Sequence, residues 1–238
     1  MSDLSENLQR VQERIDAATA RAGRPAESVD LIAVSKTHPP DVIRELARAH
    51  HTLFGESRVQ EILAKAPELS SSLRWHFIGH LQKNKVRRLL PWVEAIHSVE
   101  SLSLAEDIDR IAAEEGRRPD IYLQVNVAED TAKFGFTRDS VRRDLDAILA
   151  LPRLNLLGLM TIPALTDDPE KSRPAFAALR ELRDSLQQSS GIPLPGLSMG
   201  MSDDYEIAIE EGATIVRVGS ALFGRRQPVI APQRGDFD

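Results

Sequence analysis

The sequence predicts an α/β fold, a single (β/α)8 TIM-type barrel with an extra N-terminal helix. Three observations carry that expectation. Eight β-type runs alternate with seven stretches of helical periodicity. Parallel strands joined by right-handed helical crossovers close naturally into a barrel of about 250 residues, and the chain has 238. No internal repeat, low-complexity tract or linker marks a second domain, so the barrel is expected over residues 1–226, with a flexible tail over 227–238.

Taken in order, Met1 to Ala22 is polar with Leu4, Leu8, Val11, Ile15 and Ala18 on one stripe, the pattern of an amphipathic helix. The β-type runs are Leu31–Ser35, Thr52–Gly55, Trp75–Gly79, Ala95–Val99, Ile121–Val127, Leu156–Thr161, Gly196–Met199 and Thr214–Val218. Helical patterns fill the gaps at Asp41–His50, Val59–Lys65, Lys83–Leu90, Leu104–Glu115, Ser140–Ala150, Pro174–Gln188 and Asp203–Glu211. Pro39 and Pro40 suit a helix start, Ser103 and Glu106 a capping box, and Gly116 and Gly191 helix ends.

A net charge of −6 and 42% hydrophobic residues argue against a nucleic-acid surface, which needs a basic face. The absence of cysteine excludes disulfides and thiolate chemistry. No segment reads as a signal peptide or a membrane span, so a cytoplasmic protein, expected as a monomer, is the reading. His76 and His80 are four apart but straddle a strand end and a glycine, which is not the helical geometry of a two-histidine metal site. No metal is expected. The basic run Lys83, Lys85, Arg87 and Arg88 reads as a solvated helix face.

Residues 197–224, LSMGMSDDYEIAIEEGATIVRVGSALFG, carry the functional signal. An apolar run breaks at Gly200, Ser202 can cap the helix that follows, and the strand Thr214–Val218 runs into Gly219-Ser220. Small residues at strand ends let ligand oxygens approach backbone N–H groups, and a helix start favours negative charge. The pattern points to a bound phosphate beside Arg217, although two glycines could equally do no more than shape a turn. In a barrel, phosphate commonly sits at the loops after the last two strands.

The first strand ends in Lys36, whose amine would point to the same barrel mouth. Partial desolvation lowers a lysine's pKa and frees the neutral amine to attack an aldehyde. From position alone, Lys36 could as well pair with a carboxylate such as Glu56. A nucleophilic amine and an anion cradle on one cavity are what pyridoxal 5′-phosphate requires. Arg217, which can only donate hydrogen bonds, would then keep the pyridine nitrogen unprotonated and make the ring a weak electron sink. Lys133, in the loop after the fifth strand, offers a second amine, and His80 could line the cavity mouth.

The motifs AVSKTHP around Lys36, FGESRVQE at 54–61, WHFIGHLQKNK at 75–85, QVNVAEDTAKFGF at 124–136, GLMTIP at 158–163 and the segment from Ser198 to Gly224 resemble those of the pyridoxal phosphate homeostasis proteins, the YggS/PROSC-like family. The resemblance covers residues 5–226 and implies the barrel of the alanine racemase amino-terminal domain. It implies that Lys36 carries the cofactor as an internal aldimine, that Arg217 approaches the ring nitrogen, and that Ser198, Met199, Gly219 and Ser220 lie at or near the phosphate. Ser57 stands where the family usually has asparagine. The related racemases carry a second domain that supplies a catalytic tyrosine; the two tyrosines here, Tyr122 and Tyr205, fall in a strand and at a helix start. The resemblance thus implies a carrier that keeps pyridoxal phosphate transferable to pyridoxal-phosphate-dependent apoenzymes, with no turnover. The alternatives left by the residues are a small racemase or decarboxylase using the same Schiff base, and a cofactor-free aldolase built on Lys36.

Overall fold

In the computed structural model, which describes residues 3–128, 130, 133–164 and 166–224, eight strands close into a barrel in sequence order. They are β1 (Asp30–Val34), β2 (Leu53–Glu56), β3 (Arg74–Phe77), β4 (Ala95–Val99), β5 (Asp120–Gln124), β6 (Asn155–Met160), β7 (Gly196–Ser198) and β8 (Ile215–Val218). Every pair is parallel, and β8 closes on β1 with Asp30 opposite Ile215 and Ala33 opposite Val218. The expected tail, residues 227–238, lies outside the described residues.

Around the barrel run α1 (Asp3–Arg21), α2 (Pro40–Arg48), α3 (Val59–Lys65), α4 (Val86–Leu89), α5 (Leu102–Glu114), α6 (Arg138–Leu149), α7 (Arg173–Ser190), α8 (Tyr205–Glu210) and α9 (Ser220–Phe223). Helix α1 is the extra element; it buries Val11, Ile15 and Ala18, and its Asn7 donates to the Leu222 carbonyl at 2.9 Å, which ties it to α9. The third crossover is not one helix over Lys83–Leu90. It is a single α turn between 3-10 turns at Lys83–Lys85 and Leu90–Trp92, because Pro91 lacks the N–H that would extend the ladder. Its Lys83 and Arg87 pair with Asp107 and Glu114 of α5 and with Glu115, the residue that caps it.

Two caps differ from expectation. Helix α5 is capped by Ser101, which accepts from the Leu104 N–H at 3.2 Å, whereas Ser103 receives Lys83. Ser202 does not cap α8: the N-cap is Asp204, whose carboxylate makes no bond to the helix and accepts from the Met201 N–H at 2.7 Å. Helix α7 ends at Gly191 in the left-handed conformation, φ 70°, as a C-terminal glycine should.

The core has two parts. The larger lies between strands and helices, and alternate strand residues such as Ala33, Phe54, Phe77, Ile96, Leu159, Leu197 and Val216 fill it. The smaller fills the barrel lumen with Ile32, Val34, Leu53, Tyr122, Met160 and Ile215. Barrel lumens are usually packed with branched apolar residues. Here the lumen also takes a chain of polar side chains from β3, β4, β7 and β8, and these underlie the site.

Candidate functional site

Strand alternation decides which residues face the barrel mouth. On β1, Ile32 and Val34 point into the lumen, so Ser35 turns outward and Lys36, two residues past the strand end, turns in. Lys36 lines a cavity of about 670 Å³ at the carboxyl ends of the strands. The backbone on either side of it is anchored outside the barrel wall. Lys65 on α3 donates to the Ser35 carbonyl at 2.9 Å, to Glu56 at 2.6 Å and to Glu61 at 2.7 Å. Glu56 also takes the Ser35 hydroxyl at 2.8 Å, and Glu61 takes the Thr37 N–H at 2.7 Å. Thr37 has φ 71°, a left-handed conformation that costs a β-branched residue energy, and the Glu61 bond helps to hold it. Glu56 therefore serves Lys65. Burial raises the Glu56 pKa against the lowering pull of Lys65. Burial also acts to raise Glu61, but the bonds from Lys65 and Thr37 outweigh it and hold that carboxyl below its usual range.

Arg217 reaches the cavity from β8 with only 4% of its surface exposed. Its guanidinium donates to the Ser198 hydroxyl at 2.7 Å and to the Thr161 carbonyl at 3.0 Å. No ion pair with a carboxylate holds it among the described residues, and burial lowers its pKa to about 10. A buried cation without a bound counter-ion favours an anionic or electron-rich ligand. Behind it, His97 Nδ1 lies 2.7 Å from Ser198 Oγ and His97 Nε2 lies 3.0 Å from His76 Nδ1. The His97 ring stacks on Tyr122 at 4.4 Å.

The floor between β7 and β8 is backbone. Gly200 has φ 90°, and a Cβ there would come within 2.6 Å of the Ala208 Cβ and 2.9 Å of the Tyr205 Cα, so this bend needs glycine. Gly219 has an ordinary φ of −116°, and a Cβ would meet Val34 atoms only at 3.5 Å and 3.6 Å. Its value is the space it leaves. The Ser202 hydroxyl accepts from the Gly219 N–H at 3.1 Å and the Ala221 N–H at 3.4 Å, linking the two loops at the start of α9. At the mouth, His80 stacks on Phe134 at 4.3 Å and His38 on Phe223 at 4.5 Å, while His80 Nδ1 lies 3.1 Å from Glu100.

The cavity brings together Lys36, Ser57, His80, Arg217, Gly219 and Ser220. Three other residues singled out in the sequence stand elsewhere. Ser198 is fully buried and reaches the cavity only through Arg217. The Met199 side chain packs in the outer core and its N–H donates to Ile215. Lys133 sits at the rim, with Nζ 3.4 Å from the Ile162 carbonyl. His97, Thr161 and Lys65 were not singled out. An ionisable residue in the middle of the apolar run Ala95–Val99 was the available signal for His97; nothing local marks the other two.

This is a barrel of the alanine racemase amino-terminal class, with an inward lysine after the first strand and a buried arginine on the last. The family model "Alanine racemase, N-terminal domain" matches residues 7–227. Alanine racemase of Clostridium difficile 630 superposes with a TM-score of 0.74 at 16% identity, covering 93% of this chain and 57% of that one, a likeness of fold. The chain is 47% identical over 223 residues to the pyridoxal phosphate homeostasis protein of Aquifex aeolicus, covering 93% of this chain and 98% of the relative. PipY of Synechococcus elongatus, solved with pyridoxal phosphate bound, is 43% identical with a TM-score of 0.80, covering 90% of this chain and all of that one. The chain belongs to the family of pyridoxal phosphate homeostasis proteins.

Proposed function

We propose that this protein binds pyridoxal 5′-phosphate, holds it as a Schiff base on Lys36 and keeps it transferable, without turning over a substrate. The observation that carries the reading is one cavity lined by Lys36, by the buried Arg217 and by the Gly219-Ser220 floor. When bound, the cofactor supplies an aldehyde and an electron-withdrawing ring. Lys36 would supply the neutral amine that holds this aldehyde. Gly219 and Ser220 leave room at the floor for phosphate oxygens. Arg217 can only donate, so it favours an unprotonated ring nitrogen and weak carbanion chemistry.

Negligible turnover is supported by the placement of both tyrosines. Tyr205 is buried under α1, and Tyr122 stacks on His97 inside the lumen. Neither lines the cavity as a second acid–base group. On this reading the protein works in the cytoplasm as a monomer, and its open mouth delivers the cofactor to pyridoxal-phosphate-dependent apoenzymes. Lys133 at the rim is a candidate transient acceptor.

The test is a visible absorption spectrum of the protein with pyridoxal phosphate, followed by borohydride reduction and peptide mapping. A reduced adduct on Lys36, lost in Lys36→Ala, is expected. Loaded protein should leave the chirality and carboxylate of added amino acids intact. A colourless, unlabelled protein would overturn the reading, and racemisation that disappears in Lys36→Ala would replace the carrier with an enzyme.

A further inference from the structure

The lumen contains four polar side chains in a row, from four strands. Arg217 on β8 bonds Ser198 on β7, Ser198 bonds His97 on β4, and His97 bonds His76 on β3. Ser198 and His97 have no exposed surface, and Arg217 and His76 have 4% and 6%. Such a chain in an otherwise apolar lumen is costly unless every proton has an acceptor.

Its proton order follows from one end. A guanidinium has no acceptor, so Arg217 Nη1 must donate to Ser198 Oγ. Among the described residues the serine's own proton then has one partner, His97 Nδ1. The reverse arrangement, with His97 Nδ1–H donating to Ser198, would leave a buried hydroxyl proton unpaired. Nδ1 of His97 is therefore the acceptor, its proton is on Nε2, and it donates to His76 Nδ1. His76 in turn has its proton on Nε2. Both rings are neutral, and their surroundings agree. Burial, then the neighbouring His76 and Arg217, pushes His97 well below the ordinary range. Burial and the nearby Arg74 lower His76 to about 4. Tyr122, stacked on His97, stays protonated because burial raises its pKa. Asp204 acts on Arg217 from a distance and favours its charge.

We infer that Ser198, His97 and His76 form a directional hydrogen-bond chain that positions the Arg217 guanidinium at the cavity, with Ser198 as the positioning residue and the two histidines fixing its hydroxyl. Ser198 thus belongs behind Arg217 rather than at a phosphate. The Thr161 carbonyl holds the second guanidinium nitrogen, so the plane of the group is set by two fixed acceptors. The cofactor part of this inference rests on the reading that pyridoxal phosphate occupies the cavity; the proton order does not.

The experiment has two arms. In the cofactor-free protein, side-chain nitrogen NMR of the histidines should show His97 and His76 neutral at neutral pH, each protonated on Nε2. A proton on His97 Nδ1 would overturn the chain. In the second arm, wild type, Ser198→Ala, Ser198→Thr and His97→Phe are titrated with pyridoxal phosphate, and the visible band and its pH midpoint are followed. Ser198→Ala should weaken binding about tenfold, the loss of one hydrogen bond to a charged group, and shift the pH midpoint. His97→Phe should shift it the same way, and Ser198→Thr, which keeps the hydroxyl, should restore it. An unmoved midpoint in both Ser198→Ala and His97→Phe would overturn the positioning role. A wild type that gives no band would defeat the functional reading alone, and the histidine spectra would still decide the proton order.

Discussion

Lys65 donates to the carbonyl of Ser35 at 2.9 Å, so a side chain on α3 grips the backbone one residue before Lys36. With Glu61 bound to the Thr37 N–H on the other side, the inward lysine is fixed from outside the barrel wall. The grip is a buried ion pair, and Lys65→Met leaves Glu56 fully buried and uncompensated. Breaking such a pair costs about 3–5 kcal/mol. Urea denaturation should show that loss, and Lys65→Met with Glu56→Gln should recover about 1–3 kcal/mol, because the stranded charge is gone. A single variant as stable as wild type would mean that Glu56 is already neutral.

The two glycines of the floor should separate stability from binding. Gly200→Ala forces a Cβ against the Tyr205 backbone at φ 90° and should cost about 2–4 kcal/mol, combining left-handed strain with overpacking. Gly219→Ala has an allowed φ and only ordinary contacts, so its melting temperature should stay near wild type. Its methyl enters the cavity floor, and pyridoxal phosphate binding should weaken about tenfold. Loss of stability in Gly219→Ala with unchanged binding would reverse these roles.

The alternation of β-type and helical runs was enough to count eight strands, since each period reports which faces are buried. That Lys36 and Arg217 line the cavity was legible for a like reason: one is a charge just past an apolar strand and the other a charge within one, both near the carboxyl end of the barrel. What failed were readings that needed partners. Ser198 and His97 are 101 residues apart, and only barrel closure brings them together. Ser202 has the spacing of a helix cap, yet its hydroxyl bridges to Gly219 across the β8 loop. Ser101 and Ser103 are both sound capping residues, and the chain's exit from β4, with Ser101 extended at φ −158°, chooses the first. Short-range chemistry was readable; hydrogen-bond partners set by tertiary closure were not.

Phe134 is 58% exposed and stacks on His80 at the cavity mouth. An exposed ring adds little to folding, so Phe134→Ala should change stability by less than about 1 kcal/mol. Removing half of the stacked pair widens the mouth. In a trap assay with an excess of acceptor apoenzyme, release of pyridoxal phosphate should be several times faster. An unchanged release rate would place the limiting step at Lys36 rather than at the mouth.

The lumen histidines should leave a signature in the pH dependence of stability. His76 has a folded pKa near 4 against an ordinary 6.5, with burial as the first cause, and His97 is displaced in the same direction. In the window between the two values the unfolded chain binds more protons than the folded one, so stability falls as pH falls from about 6.5 toward 4. For His76 alone the shift corresponds to about 3 kcal/mol at the acid end. Glu56 works in the opposite direction, because its raised pKa makes protonation favour the folded state. The two are separable by mutation. Denaturation of His76→Gln across this range should show a shallower acid loss than wild type, whereas Glu56→Gln should steepen it. If His76→Gln follows the wild-type curve, His76 is already charged in the folded lumen and cannot accept from His97.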